Sequence, residues 1–211
     1  MSQEKVLEFC TFFEEVPIRG RAEVLSSSRK VAELKVLDSY FLKALNFTKR
    51  LYYKKNSRIY GADVIFLNGD FINTTAFKPV IEPKFERSVV RVSTSLSCPV
   101  TAEISFYYKS EEKEKHYRVL DVSELGIGVL ASVSDYTFLL GNLLRIKLEV
   151  STGKAAFSIV TKGKVVRKEL LSDGKQKVGI FFLDLSRKER DLLAQYVSKR
   201  QREIISLLKV L

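Results

Sequence analysis

Tyr117-Arg118-Val119-Leu120-Asp121-Val122-Ser123-Glu124-Leu125-Gly126-Ile127-Gly128-Val129-Leu130-Ala131-Ser132 is the stretch on which the fold turns. Its two ends, Tyr117–Asp121 and Gly128–Ser132, are short runs rich in Val, Leu and Tyr. Between them lie an aspartate, a serine and a glycine, residue types that favour a chain reversal. The stretch therefore reads as strand, connection, strand. The same punctuation recurs on both sides. Val100–Tyr108, Leu144–Glu149, Ala156–Arg167 (with a bend at Gly163) and Val178–Phe182 are predicted strands. Turn chemistry at Lys109–Lys115, Ser151-Thr152-Gly153 and Ser172-Asp173-Gly174 separates them. Short strands at this spacing predict an antiparallel barrel or sandwich.

The chain closes on a helix. Ser186 and Glu189 form a capping box, and Leu192, Leu193, Tyr196, Val197, Ile204, Leu207 and Leu208 make the apolar stripe. The stripe runs on past Ser198, so that tail either covers its own domain or pairs with a second copy.

Upstream, Pro79 and Pro83 disfavour both helix and central strand and mark residues 78–84 as a linker. The division is residues 1–82 and residues 83–211. The first part opens with Val6, Phe9, Cys10 and Phe13 at the spacing of an amphipathic helix over residues 3–15, ended by Pro17. Short β-rich runs follow at Ala22–Leu25, Leu34–Leu37, Tyr40–Leu45, Leu51–Tyr53 and Ala62–Leu67. Asn68-Gly69 signals a hairpin. The fold class is mainly β: two small antiparallel β domains and a C-terminal α-helix.

Composition narrows the function. The chain has 211 residues and a formal charge of +11, of which residues 1–84 carry +4 and residues 85–211 carry +7. A distributed excess attracts anions without choosing among nucleotide, nucleic acid and membrane. No apolar run is long enough for a transmembrane helix, and the N-terminus lacks a secretory pattern. Two distant cysteines, Cys10 and Cys98, support neither a disulfide framework nor a zinc cluster, and a reducing cytoplasm is the expected setting. His116 is the single histidine, beside a charged segment, and reads as solvent-facing. No nucleophile–base–orienter set and no phosphate-cradling G-x-x-x-x-G-K-[ST] loop occurs, so the chain reads as a non-enzyme without a metal or cofactor.

Two motifs carry binding chemistry. Arg87-Ser88-Val89-Val90-Arg91 places two arginines on one face in either a helix or a strand. The guanidinium fork matches phosphate oxygens or the O6/N7 edge of guanine, and its plane stacks on a base. Asp121 can accept from guanine N1–H and N2–H₂. Ser123 can bind the same edge or brace the turn, and Gly126 permits a positive φ or a close backbone approach. Each motif has an ordinary alternative: solvated arginines beside a linker, or an Asx turn between strands. Tyr52-Tyr53-Lys54-Lys55 interleaves rings and cations as single-stranded nucleic-acid platforms do, and as a half-buried strand also does.

Taken in order, the two motifs resemble the PilZ domain family, bacterial receptors for cyclic di-GMP marked by R-x-x-x-R and [D/N]-x-S-x-x-G. Gly163-Lys164-Val165-Val166-Arg167 and Val178-Gly179-Ile180-Phe181-Phe182 look like two further strands of that family, so the likeness spans about Phe85 to Tyr196. The β-rich first part resembles the N-terminal domain of two-domain, YcgR-like members. The resemblance implies two β-barrels and a cyclic di-GMP site at Arg87, Arg91, Asp121, Ser123 and Gly126. It also implies control of a protein partner such as a flagellar motor or an export machine. Glu86 stands where many such members carry another arginine, which points to one bound nucleotide rather than an intercalated pair. A basic barrel that binds single-stranded nucleic acid is the alternative, and a homodimer through the C-terminal helix is compatible with either.

Overall fold

The computed structural model describes residues 5–108, 111–153 and 155–210. They form two compact units: Met1–Ser88 together with Glu203–Leu211, and Val89–Arg202.

The first unit is a closed barrel of six antiparallel strands. These are β1 (Lys5–Phe13), β2 (Val16–Ser27), β3 (Val31–Val36), β4 (Arg50–Lys55), β5 (Arg58–Asn68) and β6 (Phe71–Thr75). The order β4-β1-β2-β3-β6-β5 closes through β4–β5 pairing. The two-residue β7 (Lys78–Pro79) pairs with Tyr60 and Gly61 of β5. Proline at such an edge removes no ladder bond from the sheet interior. Phe9, Val16, Ile18, Ala32, Leu34, Leu51 and Ile72 fill the core.

Of the helix expected over residues 3–15, Lys5–Phe13 form a strand instead, and residues 3 and 4 lie outside the described residues. Nine residues of β1 pair in register with β2, from Lys5↔Val24 to Phe13↔Val16. Phe9, Cys10 and Thr11 are consecutive and all buried. Such burial fits a strand covered on both faces, and an aromatic, β-branched run favours it. Tyr40–Leu45 is corrected in the opposite direction. It lies in helix α1 (Ser39–Thr48), which buries Phe41, Ala44 and Leu45. Those positions are i, i+3 and i+4, a helical period that the aromatic content masked. Lys49, at φ 52, ends the helix and donates its N–H to the Leu45 carbonyl.

The second unit is another six-stranded antiparallel barrel, of β9 (Val100–Tyr108), β10 (Glu111–Ser123), β11 (Gly126–Ser132), β12 (Leu143–Ser151), β13 (Ala156–Leu170) and β14 (Lys175–Phe182). The order β11-β14-β13-β12-β9-β10 closes through β10–β11, and β8 (Arg91–Ser93) pairs with β10. Of the expected turn at 109–115, Glu111–Lys115 instead extend β10, opposite Tyr108–Ile104 of β9. Residues 109 and 110 lie outside the described residues. The run of charged residues looked like a loop, but Glu114 accepts from Ser105 of β9 and Lys115 lies over the Phe106 ring.

Helix α2 (Arg187–Val210) begins at the expected capping box. Ser186 donates its N–H and hydroxyl to Glu189 Oε2 at 2.8 and 2.6 Å, and the Glu189 N–H returns to Ser186 Oγ at 3.3 Å. Tyr196 donates its hydroxyl to the Cys98 carbonyl at 2.8 Å, and the buried Arg200 donates to the Ser93 carbonyl at 3.2 Å. Farther on, Ile204 and Leu208 are fully buried, while Leu207 and Val210 stay exposed.

Two tests follow from this packing. A Cβ on Gly20 would stand 2.3 Å from Cγ of the buried Phe41. Gly20→Ala should therefore cost about 1–3 kcal/mol in urea unfolding, and Phe41→Leu in the same chain should recover part of it. Burial also pushes the Cys10 thiol from its ordinary 9.0 up to about 11, with Arg19 partly opposing it. The fold thus favours the neutral thiol. That stability is fully present below pH about 9 and is lost as pH rises from about 9 to about 11. Between pH 8 and 10.5, wild-type should lose up to about 2 kcal/mol more than Cys10→Val in urea titrations.

Candidate functional site

The second barrel reads its chemistry from a register shift. β10 carries an irregularity between Val119 and Asp121, so Leu120 is an extra residue against β11. Val119 faces the core before it and Val122 faces the core after it, both buried. Without the bulge, Asp121 and Ser123 would share the face of Val119 and enter the barrel. With it, they lie on the outer face. The pairings Asp121↔Gly128, Val122↔Ile127 and Ser123↔Gly126 carry this alternation into β11, where Ile127 is buried in the core. On the other side, β8 pairs Arg91↔Ser123, Val92↔Val122 and Ser93↔Asp121.

Two cross-strand rows result. One runs Arg91, Ser123, Gly126, Phe181, Lys164; the other runs Ser93, Asp121, Gly128, Gly179, Arg167. Glycine at 128 leaves room for the Asp121 carboxylate to lie over the strand, and Gly179 separates that site from the half-exposed Arg167.

Asp121 is the centre. Its side chain is 1% exposed although its face is outward. Arg91 Nη1 stands 3.2 Å from Oδ1 and Lys177 Nζ 2.6 Å from Oδ2. These are ion-pair contacts; among the described residues neither carboxylate oxygen, nor Arg91 Nε, has a hydrogen-bond partner. The carboxylate is thus held from two sides by charge, and as an acceptor-only group it can also receive donors presented at the outer face. Gly128 makes the position attainable, because a Cβ there would sit 2.5 Å from Asp121 Oδ2. Ser123 donates its hydroxyl to the Gly126 carbonyl at 3.1 Å and braces the connection. Gly126 is required for close approach rather than for positive φ, since a Cβ would lie 2.3 Å from the Ile180 carbonyl oxygen.

Of the predicted residues, Arg91, Asp121, Ser123 and Gly126 come together on β8, β10 and β11 of the second unit. Arg87 belongs to the first unit, whose boundary falls after Ser88. There its guanidinium donates to Glu15 Oε2 at 2.7 Å. The side chain of Glu86 lies outside the described residues. Lys177 and Gly128 were not anticipated. Gly128 stands two residues past the motif, and Lys177 just before Val178-Gly179, but only the register reveals that both meet Asp121. His116 is exposed and pairs with Glu103 at 3.7 Å. Among the described residues, no group of three or more His, Cys, Asp or Glu could hold a metal, and no helix is long and apolar enough to cross a membrane.

Residues 84–199 match the PilZ domain. The chain belongs to the PilZ domain family. No curated protein matches it. Several solved structures resemble it along nearly its whole length. The Bacillus subtilis inhibitor of motility MotI/DgrA is 14% identical with a TM-score of 0.49, covering 96% of this chain and 99% of that one. Escherichia coli YcgR in complex with c-di-GMP is 12% identical with a TM-score of 0.46, covering 94% and 84%. The K. pneumonia MrkH–c-di-GMP complex is 11% identical with a TM-score of 0.50, covering 93% and 87%. At these identities the MrkH likeness shows a shared fold. The PilZ domain here is thus a closed barrel with its motif aspartate carried to the outer face by a bulge.

The role of Gly128 is directly testable. Gly128→Ala should displace the Asp121 carboxylate from Lys177 and destabilise the PilZ domain by about 1–3 kcal/mol. Gly128→Ala with Asp121→Ala should be more stable than the single variant in thermal unfolding, because the clash partner is gone.

Proposed function

We propose that this protein is a non-enzymatic, cytoplasmic receptor for cyclic di-GMP, built on residues 83–211, with residues 1–82 transmitting the signal. The observation that carries the reading is the buried Asp121 carboxylate on the outer barrel face, held between Arg91 and Lys177 and floored by glycine. In this reading Asp121 accepts from guanine N1–H and N2–H₂, with Ser123 and Gly126 holding the connection that presents it. Arg91 and Arg87 bind phosphate oxygens and cover a guanine face. Membership of the PilZ domain family supports this assignment, as do relatives solved with c-di-GMP.

The arginine motif straddles the boundary between the two compact units, between Ser88 and Val89. Ordering residues 87–91 around one ligand would therefore act on both units, an order–disorder step coupled to domain reorientation. The output is control of a protein partner in motility or polysaccharide export. Glu86, beside the motif, favours one bound nucleotide by repelling a second set of phosphates. A homodimer through the C-terminal helix would have to use Leu207 and Val210, since Ile204 and Leu208 are buried within the chain.

The nucleic-acid alternative has less support from its expected platform. Tyr52 is buried and donates to Glu82 at 2.9 Å, and one face of Tyr53 is taken by Tyr60, stacked at 5.1 Å. Calorimetry with cyclic di-GMP tests the receptor directly. Wild-type should bind, and Arg91→Ala and Asp121→Ala should each weaken binding by at least about 30-fold. Unchanged affinity in either variant would remove that residue from the site.

A further inference from the structure

Arg87 is committed to a partner outside the predicted constellation. Its Nη1 contacts Glu15 Oε2 at 2.7 Å, while Lys84 Nζ stands 3.4 Å from Oε1 of the same carboxylate. The three side chains are largely shielded, at 19%, 29% and 17% exposure for Arg87, Lys84 and Glu15. The segment that carries Arg87 is itself docked on the first barrel. Tyr52 donates its hydroxyl to Glu82 Oε2, and the Lys84 N–H donates to Glu82 Oε1. The Phe85 ring meets Phe12 and Tyr52 edge-on at 5.1 and 5.6 Å, and Lys84 lies over Phe12.

Glu15 occupies a costly position. It and Glu14 form the two-residue turn between β1 and β2, at φ 70 and 47. That left-handed region favours Asn and Gly, and glutamate adopts it with strain. A strained residue whose carboxylate receives two cations from a docked segment suggests a role beyond the turn.

We propose that Glu15 is a built-in competitor for the ligand's phosphate. Carboxylate and phosphate match the same face of a guanidinium and cannot both hold it. Ligand capture by Arg87 therefore requires the Glu15–Arg87 pair to break, which frees the segment from the β1–β2 turn. Glu15 sets the concentration at which the receptor responds, and Lys84 holds the carboxylate ready to recapture Arg87. The proposal rests on Arg87 being a phosphate ligand of cyclic di-GMP.

The test is calorimetry with cyclic di-GMP on the full chain as wild-type, Glu15→Gln, Arg87→Ala and the double variant. Glu15→Gln keeps the shape of the side chain and removes its charge. It should bind about 3- to 30-fold tighter than wild-type, and the gain should vanish in the Arg87→Ala background. Without ligand, amide hydrogen exchange over residues 82–91 should be faster in Glu15→Gln. Binding by wild-type with equal or weaker binding by Glu15→Gln overturns the competitor and leaves the receptor standing. So does a gain that persists without Arg87, or unchanged exchange in the empty protein. Absence of binding by both wild-type and Glu15→Gln overturns the receptor reading itself, and the competitor with it.

Discussion

One buried carboxylate organises the PilZ domain of this chain. Asp121 can be outward-facing and yet buried only because three conditions coincide. The bulge at Leu120 changes the parity of β10, Gly128 leaves room opposite, and Arg91 and Lys177 supply positive charge from neighbouring strands. A carboxylate removed from water without partners would be costly. Here Arg91 and Lys177 supply charge compensation from two neighbouring strands, which is what a carboxylate on this buried part of the outer face requires.

The barrel makes that geometry rigid. Six strands close without a free edge, and Val122, Ile127, Val129, Val178 and Ile180 anchor the strands from within. The outer rows are therefore fixed in register, and every residue on them is positioned by pairing rather than by its own side-chain contacts. The arginine motif is different in kind. Arg91 starts a three-residue strand paired to β10, whereas Arg87 follows a short 3-10 turn (Pro83–Glu86) and is held by an acid in the first unit. Arg91 is part of the second barrel's scaffold, and Arg87 is held within the first unit.

Much of this was legible in the sequence because turn chemistry and β-branched runs recur with regular spacing in the second half. Each predicted strand there, from Val100–Tyr108 to Val178–Phe182, lies within an observed one. The capping box at Ser186 also needed only local information. The first half misled where two periods overlapped. Val6, Phe9, Cys10 and Phe13 satisfy a helical spacing by coincidence, and pairing with β2 overrides it. Phe41, Ala44 and Leu45 are helical positions hidden in an aromatic run. Lys177, Gly128 and Glu15 escaped notice for another reason. Their importance arises from contacts across strands or across 72 residues of chain, and no short motif encodes such a meeting.

On the reading proposed above, the nucleotide is recognised on the outer face around Asp121. The most direct measurement is a crystal structure of the full chain grown with cyclic di-GMP. The account predicts a guanine edge within hydrogen-bond distance of the Asp121 carboxylate, phosphate oxygens on Arg91 and Arg87, and Glu15 no longer paired with Arg87. A ligand seated elsewhere on the barrel, with Asp121 still held only by Arg91 and Lys177, would contradict it.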